Sequence, residues 1–333
     1  MKVMVTGAST PLGLAIVEHL LALPDVSFVL AVGKDRRPVG LVDTGRLRYL
    51  AVDLSHARVA HDLVWGDARL HLINTVIHAA QHRGAHDTGR GVHLQNVEST
   101  RALLAACEDH PSIRRFLLRS FAEVYATPHT TTQLLVEDDP LELSPGAPQW
   151  VRDRVEADFT ACAHVGGTLK VAVLRLAELL APDSGSQLWD YLGSRVCLRP
   201  LGYDPMINVL SLEDAAEAFR AAAQSTAIGP FNIPGADTLP LTRAIEESQR
   251  FSIPVPGPLM SPMYRLRRRV AGFDFRYDMN FARFHFGGVL DGTRAREQLG
   301  YAPRHPVHWP HPWWRELLDR LAADRATVDG ARH

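Results

Sequence analysis

The segment "APQWVRDRVEADF", residues 147–159, sets Trp150 and Arg154 four residues apart. That spacing puts an aromatic ring and a permanent cation on one helix face. An indole N–H donates a hydrogen bond but keeps its proton at neutral pH. A guanidinium stays charged and can hold a ribose instead of exchanging protons. A second stretch, "VMVTGASTPLG", carries a short apolar run through a glycine into a helical pattern. Backbone N–H groups at such a strand-to-helix turn bind pyrophosphate. Gly7 suits the tight turn, and Gly13 lets the helix pack on the strand. The middle glycine of a G-x-x-G-x-x-G pattern is replaced by Thr10, which adds a side chain but also a hydroxyl able to donate to a phosphate. Pro11 removes one N–H, yet it suits a first helical position. Ser9 and Leu12 complete this candidate cofactor turn; the alternative is a turn that binds nothing. The second strand runs into "VLAVGKDRRPV". An acid at its end would grip ribose hydroxyls. Gly33 stands there, and Asp35 comes two residues late. Lys34, Arg36 and Arg37 can pair with a 2′-phosphate or form a solvated basic loop. NAD and NADP both stay open.

The elements that must position these groups alternate along the first half. "KVMVTG", "VSFVLAV", "LRYLAVDL", "NTVIHAA", "RRFLLRSF" and "KVAVLRLA" read as strands. "LGLAIVEHLLAL", "NVESTRALLAACED" and "WVRDRVEADFTACA" carry helical spacing. Strands that are apolar throughout, separated by amphipathic helices, predict a parallel sheet covered on both faces. The expected fold is α/β, a doubly wound Rossmann-like sheet with a smaller, discontinuous C-terminal substrate domain. Residues 1–182 form the dinucleotide-binding domain, with 205–235 returning to it. Residues 183–204 and 236–325 form the substrate side, and 326–333 a frayed tail. The stretch after residue 182, "PDSGSQLWDYLGSRVCLRPLGYDP", reads as loop-rich.

Composition narrows the function. The chain has 333 residues, 46% hydrophobic and 22% charged, enough for a large core. A net charge of −1 supplies no global field for nucleic acid. No signal-peptide pattern or membrane span is seen, so a cytoplasmic protein is expected. Cys107, Cys162 and Cys197 lack metal-ligand spacing and read as buried thiols of a reducing compartment. His305, His308 and His311 alternate with prolines and make no helical metal face, so no metal is assigned.

Several segments, in order, carry a resemblance: "VTGASTPLG", "LAVDLSHA", "NTVIHAA", "QNVESTRALLAACEDHPSIRRFLLRSFAEVYA", "VAVLRLAELLAPD", "LSLEDAAEAFRAAA", "GPFNI" and "LDGTRAREQLGYAP". Over about residues 1–305 the chain resembles the extended short-chain dehydrogenase/reductases, the NAD-dependent epimerase/dehydratase family, and most nearly a subgroup labelled UDP-glucose 4-epimerase-like. The resemblance implies NAD or NADP as cofactor and a small-molecule substrate such as a nucleotide sugar. It implies that Asp53 and Leu54 lie near the adenine. Ala79 and Ala80 would line the cofactor, and Asn96 would support the sheet centre near the nicotinamide. Asp53 as a strand-end cap and Asn96 as a helix N-cap are the purely structural alternatives. A homodimer through residues 92–108 and 150–164 is also implied.

Family chemistry uses a Ser or Thr and a Tyr-x-x-x-Lys. The phenol exchanges a proton with a substrate hydroxyl as hydride moves, and the lysine brings its pKa toward neutral. The only lysines here are Lys2, Lys34 and Lys170, and none lies four residues after a tyrosine. The resemblance places Phe121, Trp150 and Arg154 at the three catalytic positions. Ser120 is one residue off and aimed at the other face. Glu123 is retained from an acidic pair found in some dehydratases, and is a candidate lone acid/base or an ordinary ion-paired glutamate. Tyr125 is expected to pack. Arg154 is a candidate ribose ligand as well. Arg265, Arg267, Arg268 and Arg269 suit a substrate diphosphate or a solvated helix face. Trp309, Trp313 and Trp314 are expected to cap a C-terminal helix against the body. Two readings follow: a divergent epimerase, dehydratase or reductase with a substitute proton carrier, or a non-catalytic dinucleotide-binding sensor or partner subunit.

Overall fold

A computed structural model describes residues 1–38, 40–126, 134–271 and 274–310. Seven apolar segments form strands β1 (Lys2–Thr6), β2 (Phe28–Gly33), β3 (Leu47–Ala51), β4 (Thr75–His78), β5 (Arg115–Phe121), β6 (Lys170–Leu176) and β7 (Gly229–Ile233). All pair in parallel, in the order β7-β6-β5-β4-β1-β2-β3. The strand order reverses between β1 and β4, and the crevice beyond the carboxyl ends there is where such sheets bind ligands.

Side-chain alternation divides the core. Val3 and Val5 join Leu12, Ile16 and Phe219 on one face, while Met4 joins Leu63, Leu103 and Phe116 on the other. The covering helices are α1 (Pro11–Leu21), α2 (Ala57–Leu63), α3 (Ser99–Glu108), α4 (Gln149–Ala163) and α5 (Leu212–Gln224). The doubly wound α/β architecture is therefore present. Helix α2, which the sequence pattern did not announce, continues into a π-helical turn at Val64–Ala68. Helix α3 is likewise preceded by helical Arg90–His93 and a π-helical turn at Leu94–Glu98.

The segment 205–235 divides. Its helix α5 and strand β7 join the main sheet, whereas Met206–Leu210 pairs with Glu178–Leu179 and Asp237–Pro240 in a small mixed sheet. The stretch after residue 182 is more ordered than its composition suggested, with a helix at Gln187–Leu192 and a strand at Val196–Pro200. A third apolar cluster, around Tyr191, Met260, Tyr264, Phe275 and Phe284, is built on α6 (Gly257–Ala271) and α7 (Tyr277–Phe286). Trp309 packs against it. Trp313, Trp314, His311 and the stretch 311–333, which includes the expected frayed tail, lie outside the described residues. No helix among the described residues is long and apolar enough to cross a membrane.

Candidate functional site

Gly7 adopts φ 75°, and a Cβ there would lie 2.7 Å from Ala80 N. Glycine is thus demanded by the close passage of the chain after β4, which carries Ala79 and Ala80. A Cβ on Gly13 would lie 2.1 Å from Gly7 O. Thr10 is the N-cap of α1: its hydroxyl donates to Gly7 O at 2.8 Å and accepts from Gly13 N at 3.1 Å. The expectation that this hydroxyl donates to a phosphate is corrected, because its proton is already engaged. Ala8 N donates to Val32 O, and Thr10 N to Gly7 O. Pro11 has no N–H, so Ser9 and Leu12 are the N–H groups left to meet an anion at the helix start.

Beyond β2, the position of the usual ribose acid is filled from outside. A Cβ on Gly33 would lie 2.3 Å from the Tyr49 hydroxyl, which donates to Asp35 O at 2.8 Å. The Asp35 carboxylate accepts from the Ser9 hydroxyl at 3.3 Å, which sets it against the glycine turn. Lys34 pairs with Asp53 at 3.2 Å, and Arg37 with Asp43 at 2.7 Å. Partial burial raises the Asp53 pKa, but bonds from Ser55 and Lys34 outweigh it and hold the group below its ordinary value. Arg36 is exposed and Leu54 buried. Asn96 is not a helix N-cap: it sits inside the π-helical turn, and its side chain accepts from His82 N at 2.9 Å, fixing the loop after β4.

The three positions that the resemblance assigns to catalysis form an aromatic sandwich around a cation. The Arg154 guanidinium lies 3.6 Å from the Phe121 ring centroid and 3.9 Å from the Trp150 ring centroid. All three residues are buried. Arg154 pairs with Glu123 Oε1 at 3.0 Å, and Arg283 approaches the same oxygen at 3.3 Å. Arg283 also pairs with Glu178, whose carboxylate accepts from Ser186 at 2.6 Å. Burial works to raise the Glu178 pKa, and Arg283 and Ser186 more than reverse that. The expected pair on α4 is therefore assembled, but as a closed electrostatic network. Glu123 is held by two arginines rather than poised alone. Ser120 bonds Asp158 in the interior, where Asp158 also meets Arg175 at 2.8 Å. The Tyr125 hydroxyl donates to Asn232 at 2.6 Å, and burial pushes its pKa up to about 12, which suits a packing residue rather than a base.

Arg119, Glu178 and Arg283 complete the network and were not picked out from the sequence. An arginine inside the apolar run "RRFLLRSF" was the one available signal, since a charge in a strand buried on both faces demands a partner. Arg119 donates to Ser184 O at 3.1 Å and lies 4.8 Å from the Phe121 ring centroid. Burial, then repulsion from Arg154, pushes its pKa down to about 9. The gap among Arg119, Phe121, Glu123, Arg154 and Ser184 is about 10 Å³, room for one water. Beside it opens a cavity of about 230 Å³ lined by Glu123, Arg283, Leu135, Val151, Met279 and Leu290. Arg265 and Arg268 line a separate open cavity of about 450 Å³, with Arg276 and Tyr277. The neighbouring Arg267 instead donates to Val196 O at 2.7 Å.

The cleft has two unlike halves. The glycine turn, the start of α1 and Asp35 fit an adenosine diphosphate. At the strand ends near Phe121, Arg119 lies over the Phe121 ring and leaves a gap of about 10 Å³.

Known proteins share this frame. The family model described as "NAD dependent epimerase/dehydratase family" matches residues 3–192. Uncharacterized proteins of Mycobacterium tuberculosis (Rv0501) and Mycobacterium bovis (Mb0513) are 31% identical over 311 residues, 91% of this chain and 80% of theirs. Among solved structures, MoeE5 in complex with UDP-glucuronic acid and NAD matches with TM-score 0.68 at 19% identity, covering 92% of this chain and 95% of that one. The dTDP-glucose 4,6-dehydratase of Bacillus anthracis in complex with NAD matches with TM-score 0.68 at 15% identity, covering 92% of each chain. The UDP-glucuronic acid 4-epimerase of Bacillus cereus, in complex with UDP-glucuronic acid and NAD, matches with TM-score 0.67 at 16% identity, covering 92% of this chain and 95% of that one. At those identities the structures establish likeness of fold; the family model, which matches more than half of the chain, carries the assignment further. The chain belongs to the NAD-dependent epimerase/dehydratase family.

Proposed function

We propose that this protein binds NAD or NADP through the adenosine-diphosphate half and acts by binding, as a sensor or partner subunit, rather than by Ser-Tyr-Lys hydride chemistry. The observation that supports this most is the state of Arg154. It is buried between Phe121 and Trp150 and paired with Glu123, so no group at that station is free to cycle a proton. A general base must reach its proton with an available lone pair and a suitable pKa. The indole lacks the first and the guanidinium the second.

Calorimetry of the full chain with NAD, NADP and their reduced forms tests the binding. Incubation with NAD and UDP-glucose, UDP-glucuronic acid or dTDP-glucose, followed by product analysis, tests the chemistry. Saturable heat without sugar conversion is the expected result. Conversion of any of these sugars would overturn the proposal, and silence in all four titrations would remove the dinucleotide.

The cavity beside Glu123 favours a second reading, a divergent enzyme acting on a nucleotide-linked or similar hydroxylated substrate. Its walls combine apolar side chains with Glu123 and Arg283, as a small-ligand site requires. That reading needs Glu123 released from both arginines. A sugar conversion abolished by Glu123→Gln would select it.

A further inference from the structure

We infer that the site selects an adenine nucleotide ending in an oxygen-rich group, of the ADP-ribose type, over a complete dinucleotide with its nicotinamide. This inference rests on the proposed nucleotide binding and concerns only the far end of the ligand. An adenosine diphosphate seated on the glycine turn points its distal ribose toward the carboxyl ends of β5 and β6. Hydride chemistry in such a cleft needs the ring beside Phe121, Trp150 and Arg154, and Arg119 already stands there. Its guanidinium is tied to Ser184 O at 3.1 Å and to the Phe121 face, and the gap left around it is about 10 Å³. A ring cannot enter unless Arg119 gives up both contacts.

Charge reinforces shape. Among the described residues, Arg119, Arg154 and Arg283 face two carboxylates, Glu123 and Glu178, so this partly buried cluster carries one surplus positive charge. The oxidised nicotinamide ring is itself cationic, and burying it beside a surplus cation is unfavourable. A hydroxyl, carboxylate or phosphate oxygen meets the opposite situation. Arg119 is 4% exposed and its Nε, which lacks a hydrogen-bond partner, belongs to the group lining that gap. A buried unpaired donor is costly, and a small shift of the guanidinium toward a ligand oxygen at the gap would relieve it. Arg83, between the loops after β4 and β6, donates to Asp183 O at 3.2 Å and pairs with Asp35 at 4.0 Å, so it leaves that balance unchanged.

The test is calorimetry of the full chain with ADP-ribose, NAD and reduced NAD, repeated on Arg119→Ser. The wild type should bind ADP-ribose at least tenfold more tightly than either dinucleotide. Arg119→Ser should shrink that preference tenfold or more by admitting the ring. NAD bound as tightly as ADP-ribose by the wild type would overturn this inference and leave nucleotide binding standing. No heat from any of the three would remove nucleotide binding itself, and this inference with it. The wild-type comparison decides even if the variant fails to fold.

Discussion

Trp150 and Arg154 stand with Phe121 at the three positions where the family resemblance places its catalytic groups, and there they form one packed unit. Two rings clamp the guanidinium, and desolvated cation–π contacts of this kind contribute about 2 kcal/mol each. The clamp therefore rewards the replacements at all three positions together. The triple variant F121S/W150Y/R154K restores a Ser, a Tyr and a Lys at the family spacing. If Arg119 excludes the ring as inferred above, it should still give no nicotinamide reduction with UDP-sugars, measured by absorbance. Reduction should rise above background only when Arg119→Ser is added. Activity in the triple variant alone would show that Arg119 is no obstacle. The count of three lysines showed by itself that no Tyr-x-x-x-Lys is present, whereas Arg119 acquires meaning only from what it touches.

Among elements, the short helix Gln187–Leu192 places Asp190 where it is mostly desolvated and near Asp274, Glu178 and Asp183. Burial first, then those charges, raise its pKa from 3.8 to about 7. The folded state therefore holds this proton more tightly than the unfolded state. Its stabilising effect is complete below about pH 4 and is lost as pH rises toward 7. A three-unit shift corresponds to roughly 4 kcal/mol, and solvent screening reduces that to about 1–2 kcal/mol. Asp190→Asn should match the wild type in thermal unfolding near pH 4 and exceed it by about 1–2 kcal/mol at pH 8. An equal gap at both pH values would refute the titration.

Elements also differed in how far the sequence announced them. Strands such as "KVMVT" and "KVAVLRL" are apolar on both faces and read directly. Helix α2 and its π-helical continuation were missed, because Gly66 and polar residues break the stripe while packing on the sheet holds the turns together. The N-cap alternative for Asn96 failed for a similar reason: tertiary contact with His82 placed it within a turn that local capping rules do not describe.

At the scale of the whole molecule, the two halves of the ligand cleft answer to different forces. Backbone geometry at Gly7 and Gly13 shapes one, and side-chain charges from β5, α4, α7 and the loop after β6 shape the other. Helix α4 also presents an outer face. Phe159 stands 64% exposed on it, and Arg101 of α3 reaches Glu156 at 3.2 Å alongside. Exposed aromatics on a helix pair commonly mark an interface, and a two-fold dimer brings the same patch together twice. We propose a homodimer through α3 and α4. Sedimentation should give twice the chain mass for the wild type, and Phe159→Glu should shift the equilibrium at least tenfold toward monomer. A monomeric wild type would end the proposal.

The amino-acid order alone determined the alternation that builds the parallel sheet, the glycine turn at its first strand and the lack of a Tyr-x-x-x-Lys. Each of these is local: periodicity, backbone freedom and residue identity are all written within a few positions. Tertiary structure decided that Arg119, Glu123, Arg154, Glu178 and Arg283 converge on one cleft and how their charges balance. Those residues are spread over more than 160 positions. Electrostatic interaction depends on separation through space and on burial, neither of which is set by distance along the chain.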